Sequence, residues 1–123
     1  MLTNLESHGY LSEHEAALLK PDPSRLEKGP VAIIECIQDI PCNPCEFACP
    51  VGAIQVGQPI TALPRLDHSV CTGCGVCIAQ CPGLAIFVVD ASGQSEVGTV
   101  SLPYEYYPLP KKGARSEERR VGK

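Results

Sequence analysis

C-T-G-C-G-V-C-I-A-Q-C-P, from Cys71 to Pro82, spaces four cysteines as Cys-x2-Cys-x2-Cys-x3-Cys-Pro. Each iron of a cubane cluster needs one outer ligand, and soft thiolate suits it best. Three thiolates two residues apart can wrap a loop around three irons of one [4Fe–4S] cluster. The fourth cysteine, Cys81, is expected at the start of a short helix and pointing away, which in proteins with two clusters makes it a ligand of the other one. A single Cys-x2-Cys is shared by zinc sites and redox motifs. Four cysteines at this spacing with the trailing Pro82 point instead to iron–sulfur, leaving a structural zinc module as the weaker reading.

The chain has 123 residues and eight cysteines. A disulfide-stapled secreted domain is the bland reading of that count. The first residues, M-L-T-N-L-E-S-H-G, have neither a basic nor an apolar leader region. No apolar run approaches the ~18 residues of a membrane span. A reducing, cytoplasmic setting is therefore expected, and there clustered cysteines are usually metal ligands.

The motif has an internal echo. Cys42-x2-Cys45-x3-Cys49-Pro50 matches its last three cysteines, and at an offset of 32 residues C-P-V-G-A-I-Q-V (Cys49–Val56) lies over C-P-G-L-A-I-F-V (Cys81–Val88). Upstream, V-A-I-I (Val31–Ile34) lies over L-P-R-L (Leu63–Leu66). Each half reads as strand, ligand loop, short helix, strand. Two halves give an α+β core of order β-α-β-β-α-β with pseudo-two-fold symmetry, turning near Gln58–Thr61. One half cannot bury its single apolar face alone, so the halves must pair. A core of ~60 residues is marginal without help, and bound metal is one form of it.

The first half departs from the pattern once. Asp39 occupies the position of Cys71, and a cysteine stands three residues earlier, at Cys36. Cys36 could ligate from a longer loop, Asp39 could ligate by carboxylate, or the site could hold a three-iron cluster. The even count of eight thiols favours Cys36. The two loops also differ as hydrogen-bond donors. Gly73 and Gly75 let backbone N–H groups approach sulfur. Pro41 and Pro44 have no N–H, and Asp39 and Glu46 add negative charge. The site of Cys36, Cys42 and Cys45 is thus expected to be the harder to reduce.

The flanks read more weakly. Residues 1–29 form a helical arm. Thr3 with Glu6 and Ser12 with Glu15 have capping-box spacing, Pro21 stops a helix, and Asp22-Pro23 can start another. Leu11, Leu18, Leu19 and Leu26 either pack on the core or a partner, or the arm is simply solvated. Glu96–Leu102 is a weak strand. P-Y-E-Y-Y-P-L-P (Pro103–Pro110) is extended, its tyrosines either covering the core or forming a docking strip. Lys111–Lys123 is charged, lacks an apolar face and reads as a disordered tail. The domains expected are 1–29, 30–91, 92–110 and 111–123. Residues 31–90 carry Arg65 against Glu35, Asp39, Glu46, Asp67 and Asp90. That acidity argues against nucleic acid and for a partner with a basic docking face. His8, His14 and His68 are scattered, Asp67 and Asp90 follow strands and suit turns, and neither G-x-G-x-x-G nor a phosphate loop occurs.

The cysteine runs resemble those of bacterial-type ferredoxins with two [4Fe–4S] clusters. More loosely, G-P-V-A-I-I-E-C-I-Q-D-I-P-C-N-P-C-E, P-I-T-A-L-P-R-L-D and C-P-G-L-A-I-F-V-V-D resemble the small ferredoxin subunit of flavin-dependent amine or amino-acid dehydrogenases of the proline, hydroxyproline and opine types. The resemblance implies a non-catalytic electron-transfer subunit partnered by flavoprotein subunits. The ligand sets expected are Cys71, Cys74, Cys77 and Cys49 for one cluster and Cys36, Cys42, Cys45 and Cys81 for the other. A free soluble ferredoxin is the alternative.

Overall fold

The computed structural model describes residues 3–93 and 96–115. Three short helices come first: α1 (Thr3–His8), α2 (Glu13–Ala17) and α3 (Pro23–Leu26). Gly9 ends α1 with φ of +79°. Ser12 caps α2 in a reciprocal box. Its hydroxyl accepts from the Glu15 N–H, and Glu15 accepts from the Ser12 N–H. The other Glu15 oxygen accepts from the Asn4 N–H at 2.8 Å, tying α1 to α2, and Glu15 is buried. Asp22 precedes α3, with Pro23 in its first turn but no side-chain cap bond. Leu18 is exposed, whereas Leu11, Leu19 and Leu26 are half-buried.

The following elements are β1 (Val31–Ile34), α4 (Pro44–Ala48), β2 (Ile54–Gln55), β3 (Arg65–Leu66), α5 (Val76–Gln80), β4 (Ile86–Asp90) and β5 (Thr99–Ser101). From β1 to β4 the order is β-α-β-β-α-β. β1 pairs antiparallel with β4, Ala32 facing Val88 and Ile34 facing Ile86. β2 pairs antiparallel with β3, Ile54 facing Leu66. Both pairings join one half of the repeat to the other, so neither half contains a strand pair of its own. α4 packs on α5. β5 adds to β4 as an edge strand, all three of its residues exposed.

Ala32, Ile34, Ile54, Ile86 and Val88 form the core together with Cys77. Packed against them are Cys36, Cys45, Cys49, Cys71 and Cys81, with Leu66 and Ile78. Sulfur thus supplies much of the interior that a larger domain would fill with Leu and Phe. The Pro103–Pro110 segment does not cover this core. Tyr104, Tyr106 and Tyr107 are all exposed, and the first two stack edge to face at 5.6 Å. Lys111–Ala114 makes a turn; the rest of the expected tail, 116–123, lies outside the described residues.

Candidate metal centres

The backbone directs the thiols in two repeated ways. In each half the second-to-last cysteine of the run lies in the first turn of a helix, Cys45 in α4 and Cys77 in α5. The last cysteine is the C-cap, Cys49 after α4 and Cys81 after α5. Cys81 therefore ends a helix instead of starting one, as the spacing first suggested: the helix needs Val76–Gln80 to carry Cys77, and Pro82 cannot continue it. After each cap the chain turns through a left-handed residue, Gly52 at φ +69° and Leu84 at +55°. These positions correspond across the repeat. The turn aims the next N–H back at the cap sulfur. Ala53 N donates to Cys49 Sγ at 3.2 Å and Ala85 N to Cys81 Sγ at 3.4 Å. The shared Ala in C-P-x-x-A was the sequence signal for this, and it was legible only as similarity.

The eight cysteines form no disulfide. They line two cavities. One, of about 260 Å³, is bordered by Cys36, Cys42, Cys45 and Cys81, with Pro44 and Pro64 among its walls. The other, much narrower at about 10 Å³, is bordered by Cys49, Cys71, Cys74 and Cys77. Each set takes three thiols from one half and one from the other. Asp39 lines neither cavity and is exposed, whereas Cys36 borders the first. Among the described residues no three His, Cys, Asp or Glu side chains gather around a single-ion site.

The two sites differ electrically. Around the narrow one, Ala32 N and Gly73 N each donate to Cys71 Sγ at 3.4 Å. Of the two glycines in this loop, Gly73 supplies the hydrogen bond and Gly75 supplies the left-handed N-cap of α5. Burial opposes ionisation of Cys49, but the N–H groups of Val51, Ala53, Ile54 and Gly52 outweigh it and hold the thiol below its ordinary range. Burial, then neighbouring Cys71, pushes Cys77 up to about 11. At the wider site burial raises both Cys36 and Cys45, with Cys81 and Cys42 adding to it; the Glu46 N–H opposes this at Cys45 without outweighing it. Metal binding would deprotonate these thiols, so loading releases protons and is favoured by higher pH. Glu46 does not face the cavity. Its carboxylate accepts from the N–H groups of Val56 and Gly57, bracing α4 against the end of β2. Asp67 and Asp90 serve turns, accepting from Ser69 and Ser92.

The donor sets suit [4Fe–4S] clusters. Four thiolates per site match the four irons, and N–H groups directed at sulfur stabilise the negative charge such clusters carry. The wider cavity also supplies room; the narrower one is shaped by the tight 71–77 loop.

Comparison with known proteins agrees on the cofactor. Residues 64–87, which contain Cys71, Cys74, Cys77 and Cys81, match the 4Fe-4S binding domain family. A component of the ion-translocating oxidoreductase complex of Methanosarcina acetivorans is 47% identical over 47 residues, 38% of this chain and 17% of the relative. A component of the Na(+)-translocating ferredoxin:NAD(+) oxidoreductase complex of Acetobacterium woodii is 42% identical over 38 residues, 31% of this chain and 11% of the relative. The ferredoxin-type protein NapF of Escherichia coli K12 is 35% identical over 51 residues, 40% of this chain and 31% of the relative. The chain spans less than a third of the length of each of these relatives. No solved structure matches it. The chain thus carries a 4Fe-4S, ferredoxin-type binding domain. Among the described residues no helix is long and apolar enough to cross a membrane.

Proposed function

We propose that this chain is a two-cluster electron-transfer protein of the dicluster ferredoxin kind. Its cofactors are two [4Fe–4S] clusters, held by Cys49, Cys71, Cys74 and Cys77 and by Cys36, Cys42, Cys45 and Cys81. The observation that carries this reading is the division of eight thiols into two four-thiol cavities, each completed by a cysteine of the opposite half. The family match covers the later motif alone; the second cluster rests on the cavity around Cys36, Cys42 and Cys45. Bound there, the clusters would accept and release one electron at a time. The chain's own contribution is to exclude water with Ile34, Ile54 and Ile86, to direct N–H groups at sulfur, and to bring the two sites together through α4 and α5. Cys74 is the exposed ligand, and electrons can cross most readily where sulfur reaches the surface.

In the cell the protein serves as a cytoplasmic subunit of an oxidoreductase complex, with a flavin-dependent amine or amino-acid dehydrogenase as its partner. The support is the resemblance of the segments around Cys36–Glu46 and Pro59–Asp67, together with relatives whose names place them in oxidoreductase complexes. The test is anaerobic purification of the full chain expressed beside its neighbouring genes. Eight irons and eight sulfides per chain, and co-purification with a flavoprotein, are expected. Four irons refute the second cluster, zinc without sulfide refutes the electron-transfer reading, and eight irons on a chain that purifies alone returns it to a free ferredoxin.

A further inference from the structure

Among the described residues of the arm, Arg25 is the one with several long-range hydrogen bonds to a ligand loop. It lies in α3, half-buried, and its guanidinium donates to four backbone carbonyls. Nε reaches His68 O at 2.6 Å, Nη1 reaches Gly29 O at 3.1 Å, and Nη2 reaches Pro30 O at 2.9 Å and Cys71 O at 2.8 Å. Two of these carbonyls belong to the chain entering β1, and two flank the start of the 71–77 loop. The same two segments also meet at Gly73. A Cβ on Gly73 would lie 2.6 Å from Pro30 backbone atoms, so only glycine fits there, and φ at Gly73 is +70°. From these same segments the N–H groups of Ala32 and Gly73 both donate to Cys71 Sγ.

We infer that Arg25 is a positioning residue for the site of Cys49, Cys71, Cys74 and Cys77. This rests on the electron-transfer reading above. The planar fork is what the role requires. A guanidinium offers five donors in fixed directions and stays charged, so it can hold four carbonyls of two segments in one register. With that register fixed, two N–H groups stay on the Cys71 sulfur and favour the reduced, more negative cluster. The helical arm is thereby a structural part of one metal centre, and none of Arg25's four bonds reaches the loop of the other.

The test compares the full-length holoprotein with Arg25→Lys and Arg25→Met, by amide hydrogen exchange and by reductive titration followed by electron paramagnetic resonance. Both variants are expected to exchange the Ala32 and Gly73 amides at least tenfold faster. Both are expected to lower the potential of this site alone, by about tenfold in its reduction equilibrium, which is about 59 mV for one electron. Full retention by Arg25→Lys would make the role one of charge only and overturn the inference. Equal shifts at both sites, or none, would overturn it too. Should Arg25→Met fail to fold, Arg25→Lys decides alone, because it keeps the charge and loses the planar fork. Exchange reads the clamp whichever metal the folded chain holds. Slow Ala32 and Gly73 exchange that is lost in the Arg25 variants, in a chain that purifies with zinc and no sulfide, would sink the electron-transfer reading and leave the clamp standing.

Discussion

Adding electrons one at a time should fill the two sites in a fixed order, the site of Cys49, Cys71, Cys74 and Cys77 first. Three backbone N–H groups point at sulfur there, from Ala32, Gly73 and Ala53. At the other site, among the described residues, one donates within 3.4 Å, from Ala85, and the Glu46 N–H also favours the Cys45 thiolate. An ordinary hydrogen bond contributes about 1 kcal/mol net, so two more, realised chiefly in the reduced state, contribute about 2 kcal/mol. At about 59 mV per tenfold for one electron, the gap is on the order of 80 mV. Surface carboxylates alter this little. Asp39 is exposed, and Glu46 is occupied by Val56 and Gly57. Burial of Cys77 works the other way, because desolvation disfavours the more negative state, while exposure of Cys74 relieves it. The assay is an anaerobic reductive titration with electron paramagnetic resonance at each step. Pro44→Ala assigns the signals, since it restores an N–H beside Cys45 and should raise only the lower potential. If the site containing Cys42 is reduced first, hydrogen bonding to sulfur does not set the order and burial does.

Cys36→Ser should reduce iron from eight to about four per chain, or to seven if serine keeps a three-iron core, while Asp39→Ala should retain eight; iron and sulfide analysis checks both, and loss in the Asp39 variant alone reverses the ligand assignment. Residues 1–61 and 62–123 expressed separately should each be colourless and unfolded, as visible absorption and circular dichroism would show; a brown, stable fragment counts against the crossed ligand sets. Ser12→Ala should loosen the arm by about 1 kcal/mol, seen as faster amide exchange at Asn4 and Glu15. The Ser12 and Asn4 N–H groups hold Glu15 below its usual carboxylate range; the contribution of these bonds is therefore present above the ordinary carboxylate pKa and is lost as pH falls through the lowered one. Leu84→Gly should stabilise by up to ~1 kcal/mol by removing a side chain from a left-handed residue, measured by urea unfolding of the holoprotein; a loss of stability would mean that Leu84 contributes packing that outweighs its backbone cost.

What could be read from residues was whatever depended on spacing. The short β-branched apolar run of Val31–Ile34 and the length of the Cys49–Val56 and Cys81–Val88 echo marked β1, β2 and β4, because a repeated motif constrains its own geometry. The S-x-x-E of Ser12–Glu15 marked α2, since that box is a local hydrogen-bond pattern. Cys36 stood out by parity alone, and only the cavity shows it beside Cys42 and Cys45 while Asp39 faces solvent. Arg25 was invisible. Its partners lie up to 46 residues away and are all carbonyls, which every residue type carries, so no side-chain pattern announces them. Glu46 was misjudged for a related reason: its charge was counted by sequence distance from Cys45, whereas a helix turns successive side chains to different faces, here toward β2. The tyrosines of Pro103–Pro110 gave two readings because tyrosine suits both a core edge and an interface, and exposure removes the first.

On the two-cluster reading proposed above, the same residues serve folding and electron transfer. β1 finds its partner in β4 and β2 in β3, so each strand pair needs both halves. Between the pairs lie few large apolar side chains: Ile34, Ile54 and Ile86, with Ala32 and Val88. That interior is too small to offset the entropy of ordering some sixty residues by hydrophobic burial alone. With the proposed crossed ligand sets, Cys77 in the core, and Cys49 and Cys81 at the ends of two packed helices, would complete it through metal bonds across the halves. Free energy of metal binding then becomes free energy of folding. A centre built in this way holds its ligands on rigid helix ends and its sulfur-directed N–H groups on the turns beside them. The geometry around each cluster should therefore change little between oxidation states, which is the condition for moving an electron with little reorganisation of the protein.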